Sequence, residues 1–394
     1  MESTTAFVLG GIFVVGYLLI ILEYYIKVNK TAVALLVAAA CWLVYFFSTD
    51  RPHAESLAAL GDCFSSTTQI IFFLLGAMTL VEMIDAHQGF KILTDLISTT
   101  SKRKMLWLVA LSTFFLSAFL DNLTTTILMI ALLRKMIPKF EERIPTACMS
   151  VIAANAGGAW IPIGDITTTM LWIGGQLTTW PVMKALFIPS LVSLLVPLTI
   201  FSFREKGRLT GVIDGRTQPK EAQGARLIFC LGIAGLIFVP IFHAWTGLPP
   251  FMGMFISLAL LWLVTDLLHF KFEERRHLRI PSILTKIDTS SLLFFFGILL
   301  TMGALELVGI LESVAKFLNQ TISSDALLAT FLGLFSSVID NVPLVAATMG
   351  MYPLSQHPTD APLWHMIAYA AGTGGSLLLI GSSSGIALMG MEKI

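Results

Sequence analysis

Ser117-Ala118-Phe119-Leu120-Asp121-Asn122 sets an aspartate–asparagine pair inside an apolar stretch, and Ser336-Ser337-Val338-Ile339-Asp340-Asn341 does so again. About 35 residues beyond each pair comes Gly-Gly-x₅-Gly: Gly157-Gly158 through Gly164, then Gly374-Gly375 through Gly381. Asp340 follows Asp121 by 219 residues (340 − 121), and Gly374 follows Gly157 by 217 (374 − 157). One unit is used twice, each time with an ionisable group at its centre. Interrupted apolar segments in matching halves of a chain point to a transporter's binding site.

Composition sets the class. Of 394 residues, 56% are hydrophobic and 13% charged, and the mean hydropathy is +0.82. Soluble domains carry about 25% charged residues, so the expectation is an all-α polytopic membrane protein. A net charge of zero argues against nucleic acid as a partner; membrane lipid is the expected surrounding. Cys41, Cys63, Cys148 and Cys230 are scattered without C-x-x-C spacing and read as buried structural thiols. The apolar run from about residue 6 to 22, with no basic segment before it, reads as a first span rather than a cleaved signal.

A spanning helix needs about 20 apolar residues. Runs near 5–26, 31–48, 69–86, 182–203, 226–245, 250–270 and 289–311 qualify. The arms around the Asp-Asn pairs (105–120 and 123–133; 326–339 and 342–352) are too short, reaching roughly 24 Å at most at 1.5 Å per residue. They read as re-entrant helical hairpins with tips near the midplane. The Gly-Gly segments read as transmembrane helices broken in two, tolerated only where backbone is buried or lines a cavity.

Basic residues orient the chain. Arg204, Lys206, Arg208, Arg216, Lys220 and Arg226 fill one loop, and Lys271, Arg275, Arg276, Arg279 and Lys286 another; the loop near 246–250 has none. The positive-inside rule puts both basic loops, 204–226 and 271–286, on the cytoplasmic (or stromal or matrix) side of an inner or organelle membrane. Counting spans outward brings the base of the first hairpin inside, beside Lys91, Lys102, Arg103, Lys104, Arg134, Lys135, Lys139 and Arg143. The second base falls outside, where 312–362 holds only Lys316. The two units are therefore expected to be inverted repeats.

The organisation that follows has N-terminal scaffold helices over 1–60 and a first repeat over 61–203, with its hairpin at 104–136 and its broken helix at 144–178. A linker (204–225), a scaffold pair (226–270) and a second linker (271–287) lead to a second repeat over 288–394, with hairpin 326–352 and broken helix 362–394. After Asp165 the first unit runs 38 more residues to Phe203, but only 12 follow Ser382. The counterpart of span 182–203 is expected to be missing.

The motifs Phe119-Leu-Asp121-Asn122-Leu-Thr124-Thr125-Thr126, Pro162-Ile-Gly164-Asp165, Val338-Ile-Asp340-Asn341-Val-Pro343 and Gly372-Thr-Gly-Gly-Ser-Leu-Leu-Leu-Ile-Gly381 resemble those of NhaD-type Na⁺/H⁺ antiporters of the ion transporter superfamily. The resemblance runs from about residue 60 to the C-terminus. In the anion-symporter branches the tips resemble Ser-Asn-Thr; an acid at both tips here favours a cation. The resemblance implies exchange of Na⁺ or Li⁺ for H⁺ with no other cofactor, by a homodimer with a central scaffold and mobile transport domains.

A buried carboxylate holds either a proton or a cation, because burial raises its proton affinity from an ordinary pKa of about 3.9. Exchange follows if the empty, charged site cannot cross. Na⁺ takes oxygen ligands. The first unit offers Asp121, Asn122, Thr125, Asn155 with the backbone carbonyls at its break, Asp165 and Thr168, with Asp121, Asn122 and Asp165 as principal Na⁺ ligands. The second offers Asp340, Asn341, Ser382 and Ser383. Helix capping is the plainer alternative for Asp121, Asp165 and most of all Asp340. Asp85 and Glu306, 221 residues apart (306 − 85), line an ion pathway or sit solvated at an interface. His243 and His365 are weaker candidates for pH sensing. A rival reading is a Na⁺-coupled symporter or efflux permease for a small anion such as a dicarboxylate or arsenite. An enzyme is not expected: the paired hairpins have no place in an intramembrane aspartyl protease.

Overall fold

A computed structural model describes residues 2–49, 52–89, 99–210, 224–322, 324–337, 340–378 and 381–392. Lys91, Arg216, Lys220 and the Val338-Ile339 dipeptide of the second motif lie outside the described residues, as does most of the 204–225 linker. Among the described residues the protein is helical, with a single isolated bridge between Ser101 and Arg208.

Among the described residues, seven helices are long and apolar enough to cross a membrane. They are α1 (Glu2–Ile21), α2 (Lys30–Ser48), α3 (His53–Ala86), α8 (Thr179–Arg204), α9 (Ala225–Thr246), α10 (Pro250–His269) and α11 (Thr289–Leu307). These are the expected spans with three adjustments, the first being that α1 ends at Ile21 rather than near 26, with a separate short helix over Glu23–Ile26. Helix α3 starts at His53, not near 69, because the polar stretch around Asp62 and Ser65–Thr68 contains no proline. Helix α11 ends at Leu307, and after Gly309, at φ 77°, a separate amphipathic helix α12 (Ile310–Thr321) begins. Left-handed φ suits a glycine.

Asp-Asn marks a helix break in both halves. Helices α4 (Lys102–Ser117) and α5 (Asn122–Met136) flank the first pair; α13 (Asp325–Ser336) and α14 (Asn341–Met351) flank the second. Met105 at the start of α4 and Leu133 and Met136 at the end of α5 share one apolar core, so that chain doubles back. The Gly-Gly motifs likewise separate α6 (Phe140–Gly158) from α7 (Ile166–Ile173), and α15 (Pro362–Gly374) from α16 (Ser383–Glu392).

The halves make the same contacts. Ser117 Oγ donates to the Ala154 carbonyl at 2.7 Å, and Ser336 Oγ to that of Ala371 at 2.9 Å. A Cβ on Gly157 would run into the Phe114 carbonyl oxygen, and one on Gly374 into that of Gly333. Only glycine lets α6 lie on α4, and α15 on α13, at this distance. The second arms cross over: α5 packs on α16 and α14 on α7, so each half completes the other.

The surrounding layer is α1 and α2 against α11, and α3 against α9, α10 and α11. The outward faces of α1, α8 and α10 stay apolar and exposed, including Phe7, Val15, Val192, Ile200, Leu260 and Leu263. An apolar solvent such as lipid is the environment in which such faces are stable.

Candidate functional site

The four breaks meet at the centre of the molecule. Asp121 occupies the N-cap of α5, where Oδ1 accepts the Thr124 backbone N–H at 2.9 Å and Oδ2 the Thr124 hydroxyl at 2.5 Å. Asp340 is in the same position on α14, accepting the Val342 N–H at 3.2 Å. Both acids do cap their helices. Both also line a central cavity of about 80 Å³ together with Asp165, Asn122, Asn341 and Ser383. Capping and facing the cavity are compatible: a cap uses one lone pair on an oxygen and leaves others free.

Asp165 is only 2% exposed, and its Oδ2 accepts the Thr167 hydroxyl at 2.8 Å. The same oxygen lies against Gly372, where an added Cβ would come within 3.0 Å of it. Asn155 is fully buried and joins the halves. Its Oδ1 accepts from Asn122 Nδ2 at 3.2 Å, and its Nδ2 donates to Ser376 Oγ at 2.9 Å and Ser382 Oγ at 3.1 Å. Asn155 therefore stands one layer behind the cavity, orienting Asn122. Ser382 also accepts the Gly385 N–H at 3.1 Å, which fixes the start of α16.

The threonines divide. Thr125 Oγ1 is buried with no hydrogen-bond partner among the described residues, and the same holds for Thr126 and Ser384. A buried hydroxyl without a partner costs about 1–3 kcal/mol, so these positions retain the capacity to bind a ligand or water. Thr168 instead donates to the Ala159 carbonyl at 3.4 Å, and its neighbour Thr169, which donates to Pro162 O at 2.7 Å, lines the cavity.

A cleft of about 390 Å³ adjoins the cavity and shares Met78, Val81, Leu123 and Thr124 with it. Asp85 lines this cleft beside Glu82, Lys135, Lys286 and Asp288, and Lys286 Nζ lies 3.6 Å from Glu82 Oε1. Glu306, the positional equivalent of Asp85, is exposed and rests against Gly350. His243 bonds the Leu248 carbonyl at 2.7 Å and His365 approaches Asp360 at 4.0 Å; neither lines the cavity.

Lys30 lies outside both motifs, yet as the first residue of α2 it enters the cavity from the surrounding layer. Its Nζ lies 3.9 Å from Asp340 Oδ2 and 4.5 Å from the centre of the Phe294 ring. Lys30 heads an apolar run, which in a sequence reads as an ordinary interfacial anchor; nothing local marks it as a partner of residue 340.

The profile of the citrate transporter family (CitMHS) matches residues 17–372. Sodium/proton antiporter 1 of Arabidopsis thaliana is 49% identical over 97% of this chain and 67% of its own length. Sodium/proton antiporter 2 of the same plant is 46% identical over 97% and 92%. The Na⁺/H⁺ antiporter NhaD of Vibrio cholerae serotype O1 is 31% identical over 99% and 86%. Similarity that spans both Asp-Asn breaks and both glycine breaks leaves one conclusion: the chain belongs to the NhaD-type Na⁺/H⁺ antiporter family.

Proposed function

We propose that this multi-pass membrane protein is a secondary transporter that exchanges Na⁺ or Li⁺ for H⁺, with Asp121 and Asp165 as the exchanging carboxylates. The observation that carries the reading is the small central cavity walled by three aspartates. Its volume of about 80 Å³ suits a small ion rather than a large organic ligand. Asn122 and Asn341 add amide oxygens to its wall, and Asn155 holds Asn122 in place. A proton and a sodium ion compete for the same carboxylates, and the unfilled charged site is too costly in a low-dielectric interior to move. That competition alone gives obligatory exchange.

The reading extends to topology. Paired short helices, matching contacts in the two halves and crossed second arms support two inverted repeats with re-entrant hairpins. The basic side chains Lys135 and Lys286 along the adjoining cleft support a cavity that opens here to the cytoplasmic, stromal or matrix side. A scaffold of α1–α3 and α9–α11 around mobile hairpins, and assembly as a homodimer in lipid, complete the proposal.

One observation favours another cargo: the description of the matching family profile is citrate transport. The site argues against it. Pockets for ligands of that size hold about 300–1,000 Å³, and three aspartates with one lysine repel a polycarboxylate. The test is acridine-orange dequenching in energised everted vesicles. Dequenching on addition of Na⁺ or Li⁺, with no uptake of labelled citrate, is the expected result. Citrate uptake without dequenching would replace the proposal with the symporter reading.

A further inference from the structure

We propose that Lys30 is a tethered counter-ion for Asp340, a built-in cation that neutralises the second half's acid and confines ion exchange to the first half. The inference rests on the antiporter reading and deepens it. Three carboxylates and one ammonium share the cavity. Among the described residues, Asp340 is the acid of the three with an ion-pair partner, Lys30 Nζ at 3.9 Å.

The ammonium is held from two sides. The Phe294 ring lies 4.5 Å from it, within range of a cation–π contact. Its backbone is fixed as well. Lys30 N–H donates to Glu23 Oε1 at 3.0 Å, Asn29 Oδ1 caps the Thr31 N–H at 2.8 Å, and the Thr31 hydroxyl donates to the Ser290 carbonyl at 2.9 Å. The lysine therefore belongs to the α2–α11 packing, while Asp340 belongs to the α13–α14 break. The pair joins the surrounding layer to the moving tip, so it also holds the second tip against the scaffold whenever both groups are charged.

Charge balance gives the consequence. With Lys30 in place, Asp340 needs neither H⁺ nor Na⁺, and the incoming ion meets Asp121 and Asp165, which carry no fixed cation. Without Lys30, Asp340 must take an ion of its own before the site can move. Without Asp340, a lysine is left uncompensated in the cavity.

The test is exchange by Lys30→Gln, Asp340→Asn, the double variant and Lys30→Arg in vesicles with matched expression, with wild type alongside. Each single neutralisation is expected to lower Na⁺-driven exchange about tenfold. The double variant is expected to recover to within about threefold of wild type, and Lys30→Arg to stay near wild type. A double variant as weak as the product of the singles, or an unaffected Lys30→Gln, overturns the pairing. Monodisperse elution of each purified variant separates misfolding from loss of exchange. An inactive wild type would instead overturn the antiporter reading itself, so the two failures are distinguishable.

Discussion

The two acids that open α5 and α14 have the same backbone role and different surroundings. Asp121 shares the cavity with Asp165, and among the described residues neither carries an ion-pair partner. Asp340 faces Lys30, and the position matching Asp165 is Ser382 (382 − 165 = 217). Behind them the crossed pairs differ too. Asn155 bonds Ser382 through its side chain, whereas the equivalent pair is Gly372 against Asp165, with no side chain on the glycine. The two breaks sit in closely matching frames and in surroundings that do not match. Gly157 and Gly374 match in their close backbone approach and Ser117 and Ser336 in their hydroxyl-to-carbonyl bonds, while the polar residues around the cavity differ between the halves.

The largest expected effect is on the first half. Asp121→Asn and Asp165→Asn should each reduce Na⁺-dependent dequenching by at least about a hundredfold, because either change removes a carboxylate able to trade H⁺ for Na⁺. Asp340→Asn should leave a measurable fraction. Equal loss at all three positions would mean that both halves hold exchanging ions.

Next in size is the tie between the halves. Arg143, at the start of α6, makes a bidentate pair with Glu392 at the end of α16, with Nη2–Oε2 at 2.5 Å and Nε–Oε1 at 2.9 Å, and both side chains are buried. Arg143→Met leaves a buried carboxylate alone and should cost about 3–5 kcal/mol, seen as a clear fall in melting temperature in detergent. Replacing both partners, Arg143→Met with Glu392→Leu, should recover most of it. The matching junction at the other end, where Asp360 accepts from the Thr178 N–H at 2.8 Å and from its hydroxyl at 2.5 Å, is exposed. Asp360→Asn should therefore cost only about 1 kcal/mol. Equal losses at both ends would show that burial does not set the difference.

The paired glycines should behave alike. Gly157→Ala and Gly374→Ala each drive a Cβ into a carbonyl of the neighbouring helix and should cost about 1–3 kcal/mol, again by thermal unfolding. A neutral result in one half alone would break the correspondence of the two frames. Gly372→Ala is the mildest case. Its Cβ would sit 3.0 Å from Asp165 Oδ2, so the Na⁺ concentration for half-maximal exchange should rise a few-fold with the melting temperature little changed.

The amino-acid sequence by itself determined the membrane class, the spans and the positions of both pairs of breaks. Each of those is a local property: an apolar run, a charge too costly to leave in lipid without purpose, a glycine pair that a helix does not need. Asp121, Asp165 and Asp340 were legible for the same reason. Only the tertiary structure decided which groups share a cavity. It set Asn155 behind Asn122 with Ser382 from the far half, turned Thr168 onto a backbone carbonyl while Thr169 faces inward, and carried Lys30 to Asp340 across 310 residues of chain (340 − 30). Those neighbours are chosen by which helices cross, and crossing is settled by packing between segments far apart in the chain. No spacing or composition encodes it.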